Sequence, residues 1–282
     1  MINSDVLKKL KIVVFDLDGT LLADDGTVGE KTKELIKELK KHNVRFTFAS
    51  GRLHSAITCI AENIGIETPL VSLDGSLIKS YPDGNTLFEY FVKKKYVKKA
   101  VEFAKQYTLN IALCHADAIY YTEDNYIITK LMEKFGAKYE QVNSYDNYYN
   151  KTLEISIAGD NRNSMKHVWE RMTFPYSFGL KSSYFKSQHH DNIYYIEIRR
   201  KNISKGKGML KLLKYMKIKP EEAAVVGDWY NDISLFKTSA YKVALANAVP
   251  EIKRMANLIT EKSNNEDGTA EFLEKLLKSK LG

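Results

Sequence analysis

Asp16 and Asp18 stand two residues apart in the run Asp16-Leu17-Asp18-Gly19-Thr20, directly after an apolar stretch at residues 12–15. Side chains at i and i+2 of an extended chain point to the same side, so the spacing predicts two carboxylates sharing one site. Such a pair repels unless a cation lies with it, and hard oxygen donors at a strand end suit Mg2+, which also suits phosphate. A second acidic run, Gly227-Asp228-Trp229-Tyr230-Asn231-Asp232, follows the apolar residues 223–226. One such run alone is no more than a strand-ending turn with exposed aspartates. Two of them predict a shared acidic rim.

The elements that must hold these residues alternate. Residues 12–15 form a continuous β-branched and aromatic run, the pattern of a strand buried on both faces of a parallel sheet. Val28, Leu35, Ile36 and Leu39 follow at helical spacing, then a strand at 44–49, a helix at 53–64, a strand at 70–73 and a turn at 81–84. Between about residues 85 and 200 tyrosines become dense. Half-exposed strands are predicted there at 119–122, 153–158 and 193–198, interleaved with helices at 96–107, 127–135 and 164–172. After residue 205 the alternation returns, with a helix at 208–216 and a strand at 223–226. The expected architecture is α/β, a Rossmann-like parallel-sheet core from residues 1–84 and 201–282 with an inserted α/β (α+β) domain at 85–200. Ligands of such sheets bind at the rim formed by the carboxyl ends of the strands.

Composition narrows the field. The 282 residues are 44% hydrophobic and 28% charged with 15 Gly and 5 Pro, an ordinary globular mixture that excludes collagen-like and disordered classes. No stretch reaches the roughly 20 apolar residues of a membrane helix, and Cys59 and Cys114 form neither a disulfide framework nor a CxxC pair. A cytoplasmic protein with no membrane partner is expected. The net charge of +8 favours an anionic ligand. The densest basic run, residues 93–99, reads as a solvated helix face, and no zinc-finger, basic-zipper or RNA-motif spacing accompanies it, so no nucleic-acid partner is expected. A dinucleotide fold is disfavoured because Gly206-Lys207-Gly208 is followed by Lys211 where the third glycine is needed, and no GxxxxGK[ST] loop occurs.

Taken in order, these residues resemble the haloacid dehalogenase superfamily, and within it the Cof-like (type IIB) phosphatases with a large cap inserted midway through the core. Asp16-Leu17-Asp18-Gly19-Thr20 looks like the first motif, Ser50-Gly51-Arg52 the second, Ser204-Lys205-Gly206 the third and Gly227-Asp228-Trp229-Tyr230-Asn231-Asp232 the fourth. The run Ser263-Asn264-Asn265-Glu266-Asp267-Gly268 is similar to a late Cof-type signature. The resemblance implies a Mg2+-dependent phosphatase of small phosphorylated metabolites such as sugar phosphates. It makes Asp16 the nucleophile that forms an aspartyl-phosphate and Asp18 the general acid and base. It puts Mg2+ on the carboxylates of Asp16 and Asp228 and the backbone carbonyl of Asp18. Ser50, the Gly51 amide, Lys205 and Asn231 are implied to grip phosphate, and Asp232 to orient Lys205 or metal-bound water. The inserted domain is implied to be a lid that sets selectivity.

Other readings stay beside this one. A sugar phosphomutase or phosphotransferase would use the same groups, and a non-catalytic anion- or nucleic-acid-binding protein would use the charge alone. Ser50 also suits the cap of the following helix, Arg52 suits either substrate or solvent, and His189-His190 reads as an exposed loop without a partner at metal-ligand spacing. Asp74-Gly75 stands where the relatives usually have Asn-Gly and adds negative charge, Ser50 replaces the commoner Thr, and Trp229 and Tyr230 either narrow the entrance or pack beneath it. Neither the substrate nor the oligomeric state is legible in the chain.

Overall fold

A computed structural model describes residues 4–123, 138–174, 179–187 and 192–282. The helix expected at 127–135 and the His189-His190 pair lie outside these residues. The chain forms two compact units: one from the residues up to Gly51, Thr58–Leu87 and Ser204–Gly282, the other from Phe88–Ile203 with the short segment Arg52–Ile57. No described helix is long and apolar enough to cross a membrane.

The first unit is built on a parallel sheet. Its strands are β1 (Ile12–Phe15), β2 (Arg45–Phe48), β12 (Ala223–Gly227), β13 (Tyr241–Ala244) and β14 (Leu258–Ile259), in the order β14-β13-β12-β1-β2. Ile12, Val13, Val14 and Phe15 are all fully buried, as a central strand covered on both faces requires. In the helix Glu30–Lys41 the buried residues Thr32, Leu35, Ile36 and Leu39 form one stripe, with lysines and glutamates on the opposite face.

Register is what positions the site. Phe15 lies opposite Val226 on one side and Phe48 on the other, so the carboxyl ends of β1, β12 and β2 come out side by side. Asp16, Asp228 and Ser50 follow those ends in sequence. A bridge from Ala49 to Val71 adds β3 (Leu70–Ser72), which pairs antiparallel with β4 (Leu77–Lys79). β5 (Thr86–Glu89) completes that three-stranded sheet. The tight turn Leu73–Gly75 therefore also lies at this edge.

The second unit holds a mixed six-stranded sheet. Its strands are β6 (Asn110–Cys114), β7 (Ile119–Tyr121), β8 (Tyr139–Gln141), β9 (Glu154–Gly159), β10 (Leu180–Lys186) and β11 (Tyr194–Arg200), ordered β10-β11-β9-β6-β7-β8, with only β7 and β8 parallel. β7 and β9 are buried along their whole length rather than half-exposed. One face of β9 packs with the helices Lys94–Gln106 and Arg162–Thr173 around Ile155, Ile157, Val97 and Val168. On its other face Glu154 is buried because Arg199 pairs with it and Ser156 donates to it at 3.2 Å. A buried charge stays in a fold only when it is paired in this way.

The helix Lys205–Tyr215 returns the chain to the first unit, capped by Ser204, whose hydroxyl accepts from the amide of Lys207 at 3.3 Å. Gly206 lets this helix approach the backbone of Ser234, since a Cβ there would meet the Ser234 carbonyl oxygen at 2.0 Å. Gly206→Ala is therefore expected to cost about 1–3 kcal/mol by overpacking, read as a lower Tm in thermal unfolding. An unchanged Tm would contradict this close approach.

Candidate active site

Lys205 is the centre of the site. Its side chain is fully buried, and its ammonium donates to Oδ1 of Asp16 at 2.5 Å and to Oδ1 of Asp232 at 2.8 Å. Asp16, 4% exposed, is held at the end of β1 by a bond from its own amide to the carbonyl of Val226. Asp232 is fully buried and uses both oxygens, because its Oδ2 accepts from the amides of Asp228 at 3.0 Å and Trp229 at 3.3 Å. One side chain thus fixes both the lysine and the turn that carries Asp228.

Asp16, Asp228 and Asp232 offer carboxylate oxygens that all lie within 4.8 Å of one another, and all three residues are buried. Burial works against the charge on Lys205, yet the carboxylates of Asp16, Asp232 and Asp74 outweigh it and raise the affinity for its proton. The acids feel the excess of negative charge. Burial pushes Asp16 well above the usual carboxylate range, Asp232 and Asp228 add to the push, and Lys205 opposes it. Burial also raises Asp228 to about 7, against the hydrogen bond from Thr20.

The backbone that carries Asp16 and Asp18 is not extended throughout. The extended conformation ends at Phe15, and the chain curls, with the amides of Thr20 and Leu22 both donating to the carbonyl of Leu17 and Gly19 at φ 76°. Asp16 is consequently buried and Asp18 exposed; Asp232 completes the buried carboxylate trio, and the charge of Asp18 lies near enough to add to the upward push on Asp228. Gly19 must also be Gly for space, since a Cβ would meet Oδ2 of Asp228 at 2.6 Å.

The remaining candidates fall at the same strand ends. Ser50 is fully buried, its amide donating to Val71 and its carbonyl accepting from the amide of Asp74 at 2.9 Å. Asp74 sits in the left-handed region at φ 49°, which Asp tolerates better than most residues, and is buried with its carboxylate over Gly51. Asn231 is exposed. Trp229 and Tyr230 are 46% and 51% exposed and pack edge to face, so neither lies beneath the site. Two participants were not singled out from sequence. Thr20 donates from Oγ1 to Oδ1 of Asp228 at 2.5 Å, and Asn247 donates from Nδ2 to the carbonyl of Gly19 at 2.8 Å. Thr20 closes a motif already singled out, whereas nothing about an exposed Asn in a turn marks Asn247.

A buried set of hard oxygen donors that outnumbers its one cation is the donor chemistry a divalent ion takes. Asp16 and Asp228 would hold such an ion, with Asp232 beside them.

The comparisons with known proteins agree with this geometry. The family model described as haloacid dehalogenase-like hydrolase matches residues 13–273, and the chain belongs to that family. It is 25% identical to the 5-amino-6-(5-phospho-D-ribitylamino)uracil phosphatase YitU of Bacillus subtilis, over 93% of this chain and 96% of that protein. It is 26% identical to a phosphoglycolate phosphatase of Methanosarcina acetivorans, over 94% and 96% of the two chains. The crystal structure of a haloacid dehalogenase-like hydrolase from Bacteroides thetaiotaomicron superposes with a TM-score of 0.83 at 24% identity, covering 95% of this chain and 99% of that one. The chain is thus a hydrolase of a family that generally uses a divalent metal.

The raised value of Asp228 has a measurable consequence. Its folded-state value near 7 lies above the unfolded one, so the folded protein keeps a proton that the unfolded chain has lost, and this group favours folding more as pH falls through 7. In EDTA at about pH 8, where the buried charge opposes folding, Asp228→Asn is expected to raise Tm by about 2–4 °C. The gain should shrink as the pH is lowered toward the range where the wild-type carboxyl is protonated. A lower Tm for the variant at high pH would contradict this account of the site.

Proposed function

We propose that the chain is a Mg2+-dependent phosphatase of small phosphorylated metabolites that works through an aspartyl-phosphate on Asp16. One observation carries the reading: a buried aspartate at the end of the central strand, 2.5 Å from a fully buried lysine, with two further buried carboxylates beside it. The names of relatives support the same reading, since YitU and the Methanosarcina protein are both named for the phosphates of small molecules.

In the first half-reaction Oδ of Asp16 forms a bond to phosphorus while the ester P–O bond breaks, and Asp18 gives its proton to the departing alcohol oxygen. In the second, Asp18 takes a proton from water as that water attacks the same phosphorus, which frees Asp16 and inorganic phosphate. The exposure of Asp18 suits this task, because the group that protonates a leaving alcohol must reach substrate rather than sit within the carboxylate cluster. Lys205, the hydroxyl of Ser50, the Gly51 amide and Asn231 stabilise the phosphoryl oxygens. Asp232 keeps Lys205 aimed at Asp16, as its 2.8 Å bond allows. Bound Mg2+ supplies the positive charge that lets a phosphate approach a carboxylate. Asp74 leaves a negative charge close to Gly51 and near Lys205, so substrate enters a site where the balance of charge depends on the metal.

Phosphate release from p-nitrophenyl phosphate and from a panel of metabolite phosphates, with Mg2+ or EDTA, tests the reading. Wild-type release is expected only with the metal, and Asp16→Asn should lower it by at least about 10³-fold, the size of loss typical when a nucleophile is removed. Full turnover by Asp16→Asn would overturn the mechanism. Transfer of the phosphoryl group to a sugar hydroxyl in place of water would assign a phosphomutase or phosphotransferase.

A further inference from the structure

The run Ser263-Asn264-Asn265-Glu266-Asp267-Gly268 has no part in the steps above, yet its residues reach back to the loop that carries Asp16 and Asp18. Asn247, in the turn after β13, donates from Nδ2 to the carbonyl of Gly19 at 2.8 Å, and its Oδ1 accepts from the amide of Asn264 at 3.0 Å. Asn264 in turn donates from Nδ2 to the carbonyl of Leu22 and to Oδ1 of Asp24, both at 3.1 Å. Asn265 exchanges two bonds with Asp24, giving from Nδ2 to Oδ2 at 2.9 Å and accepting from its amide at 2.8 Å. Thr269 adds a bond from Oγ1 to the carbonyl of Thr20 at 3.2 Å.

We propose that Asn247, with Asn264 and Asn265, is a bracket that sets the conformation of residues 17–24 and so aims Asp18 at the reacting phosphoryl group; Asn247 is its main positioning residue. This rests on the phosphatase reading. The loop needs an external hold, because it turns through Gly19 at positive φ, where the backbone is least constrained. Fixing the Gly19 carbonyl fixes the peptide plane leading into Thr20, and the Thr20 hydroxyl is what touches Asp228 at 2.5 Å. The bracket therefore ties the general acid and the carboxylate at position 228 to one geometry. Asn247 is itself exposed, so its contribution is the two directed bonds rather than burial. Only an amide provides both: a carboxylate would keep the acceptor for Asn264 but set an oxygen against the Gly19 carbonyl.

The test compares wild type, Asn247→Ala, Asn247→Asp and Asn265→Ala as full-length proteins in Mg2+, reading kcat, KM and Tm, with amide hydrogen exchange read separately. Asn247→Ala and Asn247→Asp are expected to lose about 10- to 100-fold in kcat, the loss that small misplacement of a reacting group causes. KM for p-nitrophenyl phosphate should stay within about 2-fold, since the phosphate-gripping groups are untouched. The amides of Thr20 and Leu22 should exchange faster while those of β1 and β12 do not. Asn265→Ala, which releases only Asp24, should show the same pattern more weakly, and it serves if the Asn247 variants do not fold. Unchanged kcat in a folded Asn247 variant, or a loss that matches the unfolded fraction alone, would overturn the bracket. Faster loop exchange together with a wild type that hydrolyses none of the phosphates would leave the bracket standing as a hold on the loop and overturn the phosphatase reading.

Discussion

The ammonium of Lys205, buried between Asp16 and Asp232, is the interaction on which the site depends. A lysine taken wholly out of water is a large cost unless its charge is met at close range, and here two carboxylates meet it at 2.5 and 2.8 Å. The match is deliberately incomplete in one sense. The buried carboxylates of Asp16, Asp228 and Asp232 outnumber the one ammonium, so negative charge is left over; burial first, and the neighbouring carboxylates after it, push Asp16 and Asp228 upward. That surplus makes the site a fit for a divalent cation, and it explains why the apoprotein and the metal-loaded protein should differ in their response to pH.

Bringing such charges together requires most of the fold. Asp16 and Lys205 are 189 residues apart in sequence, and Lys205 and Asp232 are 27 apart. The parallel register of β1 with β12 sets the first and last of these segments side by side, and Gly206 allows the helix behind Lys205 to close on Ser234. Asp232 then converts a turn into a fixed platform, because the same carboxylate that receives the lysine also receives the amide of Asp228. Loss of any one of these supports leaves a buried charge without its partner, which is why stability and chemistry are coupled here.

Much of this was legible in the chain, and the reason is physical. A strand buried on both faces announces itself as an unbroken apolar run, so residues 12–15 and 223–226, and the acids that follow them, could be placed at one rim. The inserted region was read less completely. β6, with the short apolar run Ile111–Cys114, does not distinguish strand from helix by pattern, and β10 alternates weakly because Ser182 and Ser183 sit at its middle. β9 looked half-exposed because Glu154 and Ser156 are polar, while Arg199, 45 residues away, neutralises Glu154. The unlike burial of Asp16 and Asp18 was not legible, because strand geometry stops at Phe15, before the pair begins. Asn247 left no trace at all, since a polar residue in a turn is what any turn would have. Its significance lies in a carbonyl 228 positions away.

The central claim is that Asp16 becomes covalently phosphorylated. Its most direct test is to mix the Asp18→Asn variant with Mg2+ and p-nitrophenyl phosphate, whose leaving group departs without a proton from Asp18, quench in acid, and map the modified peptide by mass spectrometry. The account predicts one added phosphoryl group on Asp16, accumulating because the variant lacks the group that activates water, and none when Asp16 is also replaced by Asn. Phosphate released by wild type with no phosphoryl group ever found on Asp16, under conditions that preserve acyl phosphates, would contradict it.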